Sequence, residues 1–172
     1  MTLPILRGPR LVLRAPRVED RKAIVAGAGD FEVSRWLAVV PHPYTPADAD
    51  WFIGECLAGR IDAWAITHEG RVIGMIGLDD GFGYWLARDL WGQGFATEAG
   101  RLVLAHHFAQ GAAEGTWANV FVGNDASANV LRKLGFRDEG PATSRCEARG
   151  LASVPARRMV LGRDEFLATG QT

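Results

Sequence analysis

The sequence predicts an α/β (α+β) protein of one domain over residues 1–172, with seven strands and flanking helices. Three observations carry that expectation. Short β-rich runs alternate along the chain with stretches of helical periodicity. Two of the runs, Ile61 to Thr67 and Arg71 to Leu78, are separated only by His68-Glu69-Gly70, the signal of an antiparallel hairpin. Gly83 to Ala99, GYWLARDLWGQGFATEA, passes from a strand through a glycine-punctuated turn into a helix.

In chain order, Arg10 to Arg14 is a first strand bounded by Pro9 and Pro16. Arg17 to Gly29 is helical by propensity, with Glu19 and Asp20 near its start and glycines at its end. Val33, Trp36 and Leu37 have the spacing of a short second helix, after which Pro41 and Pro43 impose an extended link. Thr45-Pro46-Ala47-Asp48 starts a third helix with a threonine cap, proline at the first position and an acid that reaches back to the cap. Ala49, Phe52, Ile53 and Cys56 then share its apolar face, which makes Cys56 a core residue rather than a nucleophile.

After the hairpin, Asp79-Asp80-Gly81 turns the chain into a strand over Phe82 to Leu86. A largely buried helix runs from about Thr97 to Gln110, followed by a strand from Thr116 to Val122. Asn124 or Asp125 caps a helix to Leu134, stopped by Gly135. Phe136 onward and Ala156 to Leu161 form the last two strands, paired across a loop around Gly150.

Composition excludes several classes. At 172 residues roughly 70% of the unfolded chain's surface can be buried, which suits one core. A net charge of −1 with a pI near 6.4 lacks the basic face of a nucleic-acid binder. Cys56 and Cys146 are isolated, and His42, His68, His106 and His107 have no zinc-ligand spacing, so neither a metal nor a disulfide is expected. Arg7, Arg10 and Arg14 interrupt every apolar run that could serve as a secretory signal, and nothing approaches a membrane span. The expectation is a cytoplasmic protein with free thiols, monomeric or homodimeric.

The strand, turn and helix of Gly83 to Ala99 make an anion site. Gly92 and Gly94 let a ligand approach the backbone, and the first amides of the helix have no intrahelical acceptor. A phosphate or pyrophosphate is the natural guest. The turn contains no lysine, so it is not a Walker-type loop, and Thr97 stands where a dinucleotide fingerprint needs its third glycine.

The turn W-G-Q-G-F-A, Trp91 to Ala96, does resemble the pyrophosphate loop of the GNAT acyl-CoA N-acyltransferases, with Trp91 standing where glutamine or arginine is usual. The flanks Gly-Tyr-Trp-Leu and Thr-Glu-Ala resemble the branch that acetylates N-terminal alanines of ribosomal proteins. A second stretch, N-x-x-S-x-N-V-L-x-K-L-G-F from Asn124 to Phe136, is similar to the family as well.

The resemblance implies a single mixed, mostly antiparallel seven-stranded sheet flanked by helices, with a splayed pair of parallel strands at its centre, Tyr84 to Ala87 against Thr116 to Val122, and the pantetheine arm of acetyl-CoA in the wedge. A backbone amide near Trp85 or Leu86 would polarise the thioester carbonyl. Gly92 and Phe95 complete the loop in which the amides of Gln93, Gly94, Ala96 and Thr97 hold the pyrophosphate, and Asn124 and Asn129 would contact the cofactor. Asn124 is equally well read as a pure helix cap.

Many family members place a tyrosine acid two positions before the lysine of K-L-G-F, which here is Leu131. Ser127 is the substitute the resemblance offers, on one helix face with Val130, Leu131 and Leu134; a hydroxyl there can also bond back to its own helix. Asp80, with Asp79 behind it, is the nominated base, although Asp-Asp-Gly is also simply a turn. Trp36 and Tyr44, with His42 and Trp51 near them, would line the acceptor site. The implied activity moves an acetyl group from acetyl-CoA, as co-substrate and without metal, to an N-terminal α-amine or a small amine by direct attack in a ternary complex. Its alternative is an acyl-CoA-binding sensor or scaffold without transfer. Deprotonating a lysine amine at pH 7 costs roughly 4.6 kcal/mol against about 1 for an α-amine, so an α-amine needs little help from a base.

Overall fold

A computed structural model describes residues 3–111 and 113–170. Met1, Thr2, Ala112, Gln171 and Thr172, included in the domain expected over 1–172 and in the reading of the N-terminus, lie outside the described residues.

The first sheet has five antiparallel strands in the order β1 (Leu6–Arg7), β2 (Leu11–Arg14), β3 (Ala63–His68), β4 (Arg71–Gly77) and β5 (Gly83–Leu86). The second has three, in the order β6 (Gly115–Phe121), β8 (Leu151–Gly162) and β7 (Arg137–Cys146). The expected α/β architecture of mostly antiparallel strands flanked by helices is present, with eight strands among the described residues in two hydrogen-bonded sheets rather than seven in one. Joined through the helix α4 (Phe95–Ala109), β5 and β6 have the crossover that parallel neighbours require, yet Phe82 N to Trp117 O, 2.6 Å, is the backbone bond that links them. Beyond that bond the ladder stops and a wedge opens. The additional strand, β1, was illegible because Gly8 and Pro9 cut it to two residues.

Local chemistry explains most elements. Glu69 and Gly70 carry φ of 50° and 78°, as a tight two-residue hairpin turn between β3 and β4 requires. The helix α3 (Pro46–Leu57) begins with the anticipated capping box, Asp48 N to Thr45 Oγ1 at 3.3 Å and Thr45 N to Asp48 Oδ2 at 2.7 Å. The first helical region divides into a 3-10 turn, Val18–Asp20, and α1 (Arg21–Ala28). The second helix, α2 (Phe31–Ser34), starts earlier than expected because Asp30 caps it, which leaves Trp36 and Leu37 beyond its end. Asn124 caps α5 (Asp125–Lys133), and a last helix, α6 (Arg163–Ala168), follows β8 without having been anticipated.

Three clusters form the core. β3 is buried on both faces: Trp64 and Ile66 meet α4 and the second sheet, whereas Ala63 and Ala65 meet α1 and α3. Leu11, Leu13, Val103, Leu104 and Leu134 are fully excluded from water, each contributing about 1.5–3 kcal/mol. A smaller cluster of Phe121, Cys146, Val154 and Ala156 packs against Trp36 on the open face of the second sheet. No helix among the described residues is long and apolar enough to cross a membrane.

Candidate active site

The ladder of β5 decides which of its amides are available. Ala87 N donates to Ile73 O at 2.8 Å, so antiparallel alternation also turns the amides of Trp85 and Gly83 toward β4. The amides of Tyr84 and Leu86 face the wedge. On the other side, Val122 N to Pro155 O and Arg163 N to Glu114 O fix the even-numbered residues of β6 on β8, which turns Asn119 and Phe121 toward β5. Of the two positions nominated for polarising a carbonyl, Leu86 presents its amide to the wedge. Trp85 instead lays its ring on Gly27 of α1, where a side chain would collide with it.

The loop at the wedge's wide end is held from three directions. Trp91 Nε1 donates to Leu86 O at 2.9 Å, fastening the loop to the end of β5. Arg10 Nη1 donates to Gln93 O at 2.9 Å while its Nε bonds Glu98 Oε2 at 2.7 Å and its guanidinium lies 4.5 Å over Phe95. Glu98 Oε1 accepts from the amides of Arg10 and Leu11, at 2.8 and 3.1 Å. Burial alone would raise the Glu98 pKa, but these bonds hold it below the usual carboxylate range. Gly92 and Gly94 adopt φ of 73° and 81°, and Gly94 is the N-cap of α4. The first helical bond is Glu98 N to Gly94 O, 3.1 Å. Among the described residues, the amides of Gly92, Gln93, Gly94, Phe95, Ala96 and Thr97 have no protein acceptor, while Phe95, Ala96 and Thr97 are themselves buried. A row of unspent donors at the positive end of a fifteen-residue helix is a seat for an anion.

Across the wedge, Ser127 sits in the first turn of α5 with its hydroxyl facing β5. Tyr84 Oη donates to Ser127 Oγ at 3.3 Å. Burial pushes the Tyr84 pKa up, with the Ser127 bond opposing, so the phenol stays a neutral donor. Leu131, where a family tyrosine was looked for, is 2% exposed in the core. Asn124 spends its Oδ1 on Ser127 N at 3.2 Å, the capping role. Asn129 is exposed and its Oδ1 accepts from Arg132 Nη1 at 2.9 Å.

These observations describe a wedge, an amide-rich loop and a hydroxyl pair in one line. A family model described as an acetyltransferase (GNAT) domain matches residues 10–137. The chain belongs to that GNAT family. Among its curated relatives, the uncharacterized N-acetyltransferase YoaA of Bacillus subtilis (strain 168) is 29% identical over 150 residues, covering 80% of this chain and 85% of that one. Mycobacterium smegmatis RimJ, solved in complex with CoA-disulfide, superposes with a TM-score of 0.75 at 23% identity over 99% of this chain and 95% of its own. RimL, a ribosomal L7/L12 alpha-N-protein acetyltransferase solved with coenzyme A, has a TM-score of 0.78 at 18% identity, covering 94% and 99%.

In this GNAT domain the nominated acceptor residues separate. Trp36 joins the Phe121 cluster on the open sheet face, whereas Tyr44 packs with Ile24, Ala49 and Ile53 between α1 and α3. Burial, then Asp48 and Cys56, push the Tyr44 phenol up to about 12. His42 stacks on Phe31, 5.1 Å between centroids, and Trp51 is exposed. Asp80 is exposed in the turn before β5. That turn is pinned to β6, because Gly81 has φ +82° and any Cβ there would lie 2.9 Å from Trp117 O and 3.0 Å from its indole. Cys56 is half-buried with its thiol pushed up to about 12, by burial first and then by Asp62, Asp79 and Glu55, as suits a packed rather than a nucleophilic cysteine. Among the described residues no three His, Cys, Asp or Glu side chains converge as a metal site. Arg10, Tyr84 and Asn119 were not singled out from sequence. Only Tyr84 carried a signal, as the tyrosine of the Gly-Tyr-Trp-Leu flank.

Proposed function

We propose that residues 1–172 act as one acetyltransferase domain that transfers an acetyl group from acetyl-CoA to a primary amine, an N-terminal α-amine of a protein or peptide or a small amine, by direct attack in a ternary complex. The single observation that carries this is the continuity of unspent backbone donors, from the wedge-facing amides of Tyr84 and Leu86 to the loop amides of Gly92 to Thr97. A pantetheine arm offers amide carbonyls as acceptors to the first set and a pyrophosphate offers negative charge to the second. The RimJ and RimL structures, each solved with a CoA species, support the same donor.

In this reading the Leu86 amide faces the thioester carbonyl and stabilises the oxyanion as the amine's C–N bond forms. The C–S bond then breaks, and the Ser127 hydroxyl donates a hydrogen bond to the leaving thiolate, which takes its proton from solvent while Ser127 keeps its own. Because Ser127 Oγ already accepts from Tyr84, its own hydrogen is free to point into the wedge. Asp80, or a water it holds, receives the proton lost by the amine. A peptide or small α-amine suits this modest base, given the low cost of deprotonating it.

The test is thiol release from acetyl-CoA on a panel of α-amino peptides, polyamines and small amines. Release on at least one acceptor, with an acetylated product by mass, is expected. Tight acetyl-CoA binding with no release above background on any of them would instead indicate a sensor or scaffold.

A further inference from the structure

On the open face of the second sheet, three arginines lie over aromatic rings: Arg158 on Trp117 at 3.8 Å, Arg149 on Phe121 at 5.4 Å and Arg35 on Trp36 at 5.1 Å. Two of them hold donors in reserve. Among the described residues, Arg149 Nε and Nη2 are both buried without a partner, and so is Arg35 Nε. Nε and Nη2 form one bidentate edge of a guanidinium, the geometry that matches a carboxylate or phosphate. Elsewhere the chain spends that edge on acids: Arg60 on Glu55 at 2.8 and 2.6 Å, and Arg157 on Asp138 at 2.8 and 2.7 Å. The nearby carboxylates do not serve Arg149. Glu32 meets Arg35 Nη1 at 3.4 Å, and Glu147 meets Arg145 at 3.5 Å.

A fourth unspent atom complements them. Asn119 Oδ1 is buried with no donor, two residues before Phe121 on the same face of β6, hence roughly 7 Å along the strand. Asn119 and Phe121 also border the wedge through their backbone. Buried polar groups are nearly always paired, so an acceptor and a cationic fork left unpaired beside a wedge are open positions for a ligand that brings a donor and an anion.

Resting on the transfer reading above, we infer that the acceptor of this protein carries an anionic group beside its amine, with the amine N–H received by Asn119 Oδ1 and the carboxylate or phosphate by the Arg149 edge, assisted by Arg35. Arg149 is half-buried as a residue and ends the turn Glu147–Arg149, and since its Nε and Nη2 are themselves buried, engaging the anion requires its side chain to rotate.

The test compares matched acceptors: Ala-Glu against Ala-Lys peptides, and phosphoethanolamine against ethanolamine. The acidic member should be favoured at least tenfold in kcat/KM. Arg149→Gln should abolish the preference through the acceptor KM, leaving kcat and the acetyl-CoA KM unchanged; Arg149→Lys should restore it only in part, and Arg35→Gln should weaken it. A preference confined to the peptide pair identifies a carboxylate, and one confined to the phosphate pair a phosphate. Brisk thiol release with equal kcat/KM within each pair overturns the anion subsite and leaves the transferase standing. If no acceptor releases thiol, the transferase reading fails, and calorimetry with N-acetylated Ala-Glu and Ala-Lys peptides still decides the subsite, since equal binding to wild type overturns it.

Discussion

The phenol of Tyr84 and the hydroxyl of Ser127 meet at 3.3 Å across the wedge, joining β5 to the first turn of α5. Tyr84 thereby orients the Ser127 hydroxyl, which in the proposed reaction turns its hydrogen toward the leaving thiolate. Ser127→Ala is expected to lower kcat about a hundredfold with acetyl-CoA affinity retained, and Tyr84→Phe to lower it less, about fivefold. The double variant should be no slower than Ser127→Ala, because the tyrosine acts through the serine. Steady-state kinetics with calorimetry of acetyl-CoA binding checks all three.

Arg10 bridges the β2 edge and the loop, touching Gln93 O, Glu98 and Phe95 together. Removing it releases the loop without touching the hydroxyl pair. Arg10→Ala should raise the acetyl-CoA KM about fivefold at nearly constant kcat, the pattern of lost uniform binding.

Gly94 caps α4 at φ +81°, and a Cβ there would lie 3.4 Å from Arg10 Nη2. Gly94→Val forces a branched residue into the left-handed region at a cost of about 1–2 kcal/mol. The expected outcome is at least a tenfold higher acetyl-CoA KM and a lower melting temperature, with far-UV circular dichroism otherwise intact.

Asp80 has a distinguishable signature if it receives the amine proton. Asp80→Asn should depress kcat/KM for a lysine-like amine more than for an α-amine, because the former is the costlier to deprotonate. Equal loss on both would reduce Asp80 to its turn.

Stability should be lost at both ends of the pH scale. Burial alone would raise Asp20, but its bonds to Arg14 and the Arg17 amide lower its pKa, as the bonds from Arg10 lower that of Glu98. A depressed folded pKa gives stability that is present above the unfolded carboxylate range, near pH 4, and lost as pH falls below it. Cys56, Tyr44 and Tyr84 are raised, the first two to about 12, so their contribution is full below about pH 9 and fades as pH climbs from there through 12. Burial also lowers the His107 pKa, so stability fades as pH falls through the ordinary imidazole value of 6.5; urea midpoints should be flat only from about pH 7 to 9, and Cys56→Ala should soften the early alkaline decline.

Much of this molecule was legible in one dimension because its signals are local. The capping box at Thr45 and Asp48, the hairpin at Glu69-Gly70, the stop at Gly135 and the loop from Gly92 to Thr97 each depend on residues a few positions apart. What stayed hidden depends on register. No spacing rule brings Arg10 to Glu98 or Tyr84 to Ser127, and the separation of Trp36 from Tyr44 follows from α2 ending at Ser34 and from which core each ring joined. Asn119 was invisible for the same reason, since only pairing with Arg158 on β8 fixes the face it occupies.

The bond from Phe82 N to Trp117 O joins two sheets that would otherwise be separate. An interior strand border without a neighbour is costly, and folded chains normally close it with more chain. On the proposed reading the missing member is a slot, so that a bound pantetheine arm stands in for a strand and occupancy becomes part of the architecture. The two halves then share one unfolding transition more tightly when loaded than when empty, and amide exchange along β5 and β6 is where that completion is recorded.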